Sequence, residues 1–172
     1  NPAAGEYTIE VSHEGPISTQ DYALIIRGLS PDQPGIALDL KVILEGPFNG
    51  MDMNTELNTS NLLPTDQPYD SDPTADWYYT GNESVGAIPN NDVVDWLLVE
   101  LRDAPDAGSA TGATIIARQP AFLLNDGSVA GLDGSSLLSV NASVSQNLFV
   151  VVYHRNHLGV MSANALTESG GV

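Results

Sequence analysis

Residues 93–103, VVDWLLVELRD, constrain the fold more than any other stretch of the chain. Leu and Glu would allow a helix, but Val94, Trp96, Leu98 and Glu100 alternate with Val93, Asp95, Leu97, Val99 and Leu101. The β-branched and aromatic content of that alternation favours a central strand.

Other segments repeat the pattern. EYTIEVSH places Tyr7, Ile9 and Val11 opposite Glu6, Thr8 and Glu10, and with DYALIIRGL it reads as a hairpin around Gly15 and Pro16. After the Pro-rich connector SPDQPG, IALDLKVILEG alternates Leu38, Leu40, Val42 and Leu44, so the connector is the expected boundary between a hairpin at 1–30 and a module at 36–172. TIIARQPAFLL and SVAGL flank Asn125-Asp126-Gly127, which predicts a hairpin with a tight primed turn. Leu132-Asp133-Gly134 marks a second turn, and LLSVNASV, NLFVVVYHR and HLGVMSANAL supply three more strands. About nine short strands without an amphipathic helix predict an all-β, antiparallel β-sandwich of jelly-roll or Ig-like form. Residues 47–91 are the exception, a long region rich in Pro, Asn, Asp and Gly, with isolated large apolar and aromatic residues. A loop of that length is either a functional excursion or a segment pinned by specific contacts.

Charge narrows the function classes. With 22 Asp and Glu against 5 Lys and Arg, the net charge is −17, which opposes nucleic acid and anionic membrane surfaces and favours cations. The absence of cysteine removes disulfides, thiolate metal sites and a cysteine nucleophile. No apolar run has the roughly 20 residues of a spanning helix. The N-terminus has no signal pattern, so an export signal for a secreted chain is expected outside this sequence.

The phrases LKVILEGPFNG, MNTELNT, LLPTDQPY, GNESVGAIPNNDVVDWLLVELRDA, ARQPAFLLNDGSVAGLDG and HRNHLGVMSANALT, in order from about residue 38 to the end, resemble an accessory module near the C-termini of large secreted or cell-surface bacterial proteins. AGEYTIEVSHEGPISTQDYALIIRGL resembles the last hairpin of the jelly-roll module that follows subtilisin-like peptidase domains. The resemblance implies a non-catalytic role and a secreted or surface location. YDSDPTADWYYTG departs from it by adding Asp70, Asp72 and Asp76 where related modules have a short link before a Trp. The chain is expected to begin inside one module and stop, at ESGGV, on the edge of another, leaving strand edges that recruit neighbouring modules or identical chains.

Three groups are candidate sites. Asp70, Asp72 and Asp76 in one loop, with Asp92 and Asp95 in NNDVVD, offer oxygen ligands for calcium, although neither run has the EF-hand pattern. Trp77, Tyr78 and Tyr79 form either a platform for surface glycans or an aromatic plug at the end of the sandwich. His154 and His157 bracket Arg155 and Asn156, but zinc needs at least a third ligand, and the only other histidine, His13, lies in the N-terminal hairpin. A structural role is expected instead, with Arg155 paired to Glu100 or Asp95 and the imidazoles and Asn156 satisfying loop carbonyls. No G-x-S-x-G elbow occurs, and among 22 acids some glycosidase-like pair always exists by chance. The chain therefore reads as a non-catalytic extracellular module for adhesion, scaffolding or assembly. Its rivals are a strand-exchanged filament subunit and a carbohydrate-binding accessory module.

Overall fold

The chain separates after Pro34 into two units, and the computed structural model describes residues 35–168, all in the second. The hairpin expected over 1–30, with His13, lies outside the described residues, as does the end of ESGGV. Among the described residues, each remaining run expected to be extended yields a strand. These are β1 (Ile36–Leu38), β2 (Val93–Ala104), β3 (Ile115–Leu124), β4 (Val129–Ala130), β5 (Leu138–Val140), β6 (Asn147–His154) and β7 (His157–Met161). A five-stranded antiparallel sheet has the order β4-β3-β2-β6-β7, and β1 pairs with β5 in a second sheet. The fold is an all-β antiparallel sandwich.

β2 is central because both of its neighbours pair along most of its length, Val93–Arg102 with β3 and Leu98–Ala104 with β6. Its two faces bury different sets of side chains. On one, Val94, Leu97, Val99 and Leu101 pack with Leu38 of β1, Leu138 and Val140 of β5, Ala121 and Leu123 of β3, and Val150 of β6. On the other, Val93, Trp96 and Leu98 pack with Phe122, Val151 and Tyr153. That double burial is why eight of the twelve β2 residues are apolar.

The long region 47–91 supplies the cover for the second face. Leu63 and Tyr69 are buried in that apolar cluster, with Trp77, Tyr79, Val85 and Ile88 packed around them. Backbone hydrogen bonds from Tyr79 to Tyr69, Gln67 to Glu83 and Val85 to Thr65 brace the layer, and the Gln67 amide donates to the Gly81 carbonyl at 2.8 Å. The Tyr69 hydroxyl donates to the Trp96 carbonyl at 2.8 Å. Burial raises the Tyr69 phenol well above its ordinary value, so it stays a donor there. Among the described residues, helix is confined to one four-residue turn, α1 (Glu56–Thr59), and a 3₁₀ turn at Gly112–Thr114. Asn58 of α1 is buried and donates to the carbonyls of Asn90 and Val93.

Two local expectations change. IALDLKVILEG is extended but does not form one ladder, because it switches partners. Residues 36–38 pair with β5, whereas Leu40 and Val42 exchange hydrogen bonds with Val129 and Gly127 beside β4. The β3–β4 connection is a hairpin, but its turn is not of the primed type, since Gly127 alone takes positive φ, +90°. A three-residue loop ending in a left-handed glycine fits the strand twist equally well. A Cβ there would meet the Val42 carbonyl at 3.1 Å. The second expected turn forms at Gly134, φ +69°.

Acidic side chains hold many of the turns. Asp133 accepts from the amides of Ser135 and Ser136 and from the Ser136 hydroxyl, which pulls its carboxyl down to about 2. Asp72, Asp103 and Asp126 are lowered by similar bonds, to Thr74, to Ser145 and Gln146, and to Ser128. A depressed folded value means that the unfolded chain binds the proton first, so this stability is present above the ordinary carboxylate range and lost as pH falls through the folded values. Relief of like-charge repulsion acts oppositely, in the range where ordinary acids titrate, about pH 4. Thermal unfolding should therefore show a melting temperature that drops between about pH 4 and pH 2. A melting temperature still rising toward pH 2 would show that these turn carboxylates do not matter to stability.

Candidate functional site

Two polar clusters are built into the sheet, one on each face. β2 residues 96, 98 and 100 share the face that carries Tyr153, and there Glu100 is fully buried. Its register partner on β3 is Arg118. The carboxylate accepts from Arg118 Nε at 2.6 Å and from Arg102 Nε at 2.7 Å. Arg102 continues to the Ala110 carbonyl and the Tyr153 hydroxyl, while Arg118 reaches the carbonyls of Tyr78 and Asp76. A single buried acid thus fixes two arginines, and one of them ties the acidic and aromatic loop to the sheet.

On the opposite face, Asp95 of β2 meets the end of β6. Its carboxylate contacts His154 Nε2 at 3.1 Å and Arg155 Nη2 at 3.0 Å, and it accepts from the Trp96 amide at 2.7 Å. Burial pushes the Asp95 carboxyl up, but the His154 and Trp96 hydrogen bonds and the Arg155 charge outweigh it and hold it below the usual range. The Asn156 amide donates to His154 Nδ1 at 3.2 Å, which leaves the ring proton on Nε2, facing Asp95. His157 Nδ1 lies 2.9 Å from the same His154 nitrogen. The two histidines come together because His154 and His157 pair across the β6–β7 turn. They flank a pocket of about 280 Å³ that also takes in Leu44, Pro47, Asn54, Glu56 and Leu57.

The four residues 154–157 therefore gather at one turn, and Arg155 pairs with Asp95, while Glu100 is taken by Arg102 and Arg118. The acids named for calcium are dispersed by comparison. Asp95 is turned into the His154 and Arg155 cluster, Asp72 accepts from the Thr74 amide and hydroxyl, and Asp76 offers its backbone carbonyl to Arg118. Asp70 and Asp92 are exposed. Among the described residues no three His, Cys, Asp or Glu side chains are grouped to hold a metal ion. In the aromatic triplet, Trp77 packs edge-on against Tyr69 with centroids 5.7 Å apart. Tyr79 donates to Glu83 at 2.6 Å, and burial with that carboxylate pushes its phenol up to about 12. Trp77 and Tyr79 both pack against the second apolar cluster, and Tyr78 is half-buried.

The third feature is an edge. At one end of the five-stranded sheet, β4 is flanked by the 40–42 segment and by a bridge from Ala130 to Leu137. At the other end β7 has no partner beyond β6 among the described residues. Leu158 is 91 % and Val160 67 % exposed there. Gly159 between them makes room for the Tyr153 ring, which a Cβ would meet at 2.6 Å. The signal for this edge was in the sequence: HLGVMS, residues 157–162, has no Asp, Glu, Lys or Arg in a chain with 27 such residues. No sequence signal pointed to Glu56 or Asn54, which reach the pocket only through the folding of 47–91. No protein-family model matches the chain, and no curated protein or solved structure is similar to it at a significant level.

Proposed function

We propose that the chain is a non-catalytic module of a secreted or cell-surface bacterial protein, with a role in adhesion, scaffolding or assembly, and that its working surface is the free edge of β7. In this reading two copies meet edge to edge, each β7 adding a strand to the other's sheet about a two-fold axis. The observation that carries it is the exposure of Leu158 and Val160 on an edge strand that itself contains no Asp, Glu, Lys or Arg. Edge strands are ordinarily blunted by Lys, Pro, bulges or a covering loop, and the opposite edge of this same sheet is covered by residues 40–42.

The net charge of −17 opposes contact between copies, so association should strengthen as salt screens it. Sedimentation velocity across a concentration series, at low and physiological ionic strength, should show a species of twice the monomer mass that grows with concentration and salt. Val160→Lys, which places a charge on the edge, should remain monomeric. A wild-type chain that stays monomeric at the highest concentration and salt would overturn the proposal.

A further inference from the structure

We infer that the pocket beside His157 is a binding site for a primary ammonium group on a short alkyl chain, either a free amine or a lysine side chain of another polypeptide. Directed hydrogen bonds are the first support. The Asn156 amide donates to His154 Nδ1, so His154 Nδ1 is an acceptor and His157 Nδ1, 2.9 Å away, must be the donor between the two rings. In the neutral His157 ring the proton then sits on Nδ1, and Nε2 presents a lone pair. Asp95, through His154, fixes the orientation of this acceptor in the way that outer carboxylates orient metal-bound imidazoles. Nε2 lies over Gly46, 3.8 Å from where a Cβ would stand, at the wall of the pocket.

Charge and shape supply the rest. Glu56, the first residue of α1, lines the same pocket and has no ion pair among the described residues, whereas the negative charge of Asp95 is already offset by Arg155. Leu44, Pro47 and Leu57 form apolar wall, suited to methylenes. An acceptor nitrogen, one uncompensated carboxylate and an apolar wall match the three donors, positive charge and alkyl stem of an alkylammonium. The strongly negative net charge of the chain would draw such a cation in. The single lysine of the 172 residues, Lys41, sits against Asp126 and bridges to Ser128 by β4, and it is not among the residues that line the pocket. The inference is independent of edge-to-edge assembly.

The test is an NMR titration of the intact chain with n-butylammonium, Nα-acetyl-lysine amide and tetramethylammonium. The expected result is saturable 1:1 shifts centred on Gly46, Leu57 and the His157 imidazole with the two primary ammonium compounds, and none with tetramethylammonium, which has no N–H to donate. Tighter binding of the acetyl-lysine amide than of butylammonium would assign the site to a protein side chain, and the reverse order to a free amine. His157→Phe should weaken binding about tenfold, the scale of one charge-assisted hydrogen bond. Glu56→Gln, at an exposed position where folding is not at risk, should weaken it severalfold. Equal, unsaturable shifts with all three cations, or a Glu56→Gln variant that binds as the wild type does, would overturn the inference.

Discussion

Glu100→Ala should destabilise the fold by about 3–5 kcal/mol, because removing one member of a buried ion cluster strands the others. Glu100 is fully buried between Arg102 and Arg118, whose side chains are only 15 % and 23 % exposed. Without the carboxylate, two guanidinium groups would remain in the sheet interior with carbonyls, the Tyr153 hydroxyl and the Met161 sulfur as partners. The loss is a large fraction of the roughly 5–15 kcal/mol by which domains are stable. A second variant separates charge from packing: Glu100→Leu combined with Arg102→Met and Arg118→Met should recover most of the loss, since buried ion clusters are often replaced by apolar groups without penalty. Urea denaturation of both variants measures this. A Glu100→Ala midpoint within error of the wild type would show that the cluster does not contribute.

Asp95→Ala should cost a similar amount, about 3–5 kcal/mol, by the same reasoning on the opposite face. It removes the acceptor for His154 Nε2, the Arg155 guanidinium and the Trp96 amide together. Arg155 has little reserve, since its Nε is already without a partner. Adding Arg155→Met to Asp95→Ala should restore part of the stability by removing the stranded charge. Additive losses in the double-mutant cycle would mean that the two groups act independently. Asp95→Ala should also let the His154 and His157 rings turn, which would be visible as broadened imidazole signals.

Several elements could be read before the structure was known. In β6 a side-chain period of two places Val150, Val152 and His154 on one face and Val151, Tyr153 and Arg155 on the other; all but Arg155 are found so, since Arg155 turns to Asp95 beside His154, and in β2 the period breaks at the irregularity between Val93 and Asp95. Asn125-Asp126-Gly127 marked a hairpin because only glycine is comfortable at the left-handed position that Gly127 occupies. The partner choice of Arg155 was open between Glu100 and Asp95, since alternation puts those two acids on opposite faces and local pattern cannot say which face the β6–β7 turn approaches. The layer formed by 47–91 was illegible for a different reason. Its buried residues Leu63 and Tyr69 and its half-buried Trp77, Val85 and Ile88 follow no helical or extended period, and their burial is set by side-chain and backbone bonds such as those of Gln67. The pocket depends on that same layer, so Glu56 could not be linked to His157 from sequence.

The proposed role of β7 is tested most directly by amide hydrogen exchange over residues 157–161, comparing dilute monomer with concentrated protein at physiological salt. The account predicts that amides on the free side of β7 become protected as association proceeds, and that Val160→Lys removes this protection while the amides of β2 exchange as before. Association that leaves the exchange of residues 157–161 unchanged would contradict it.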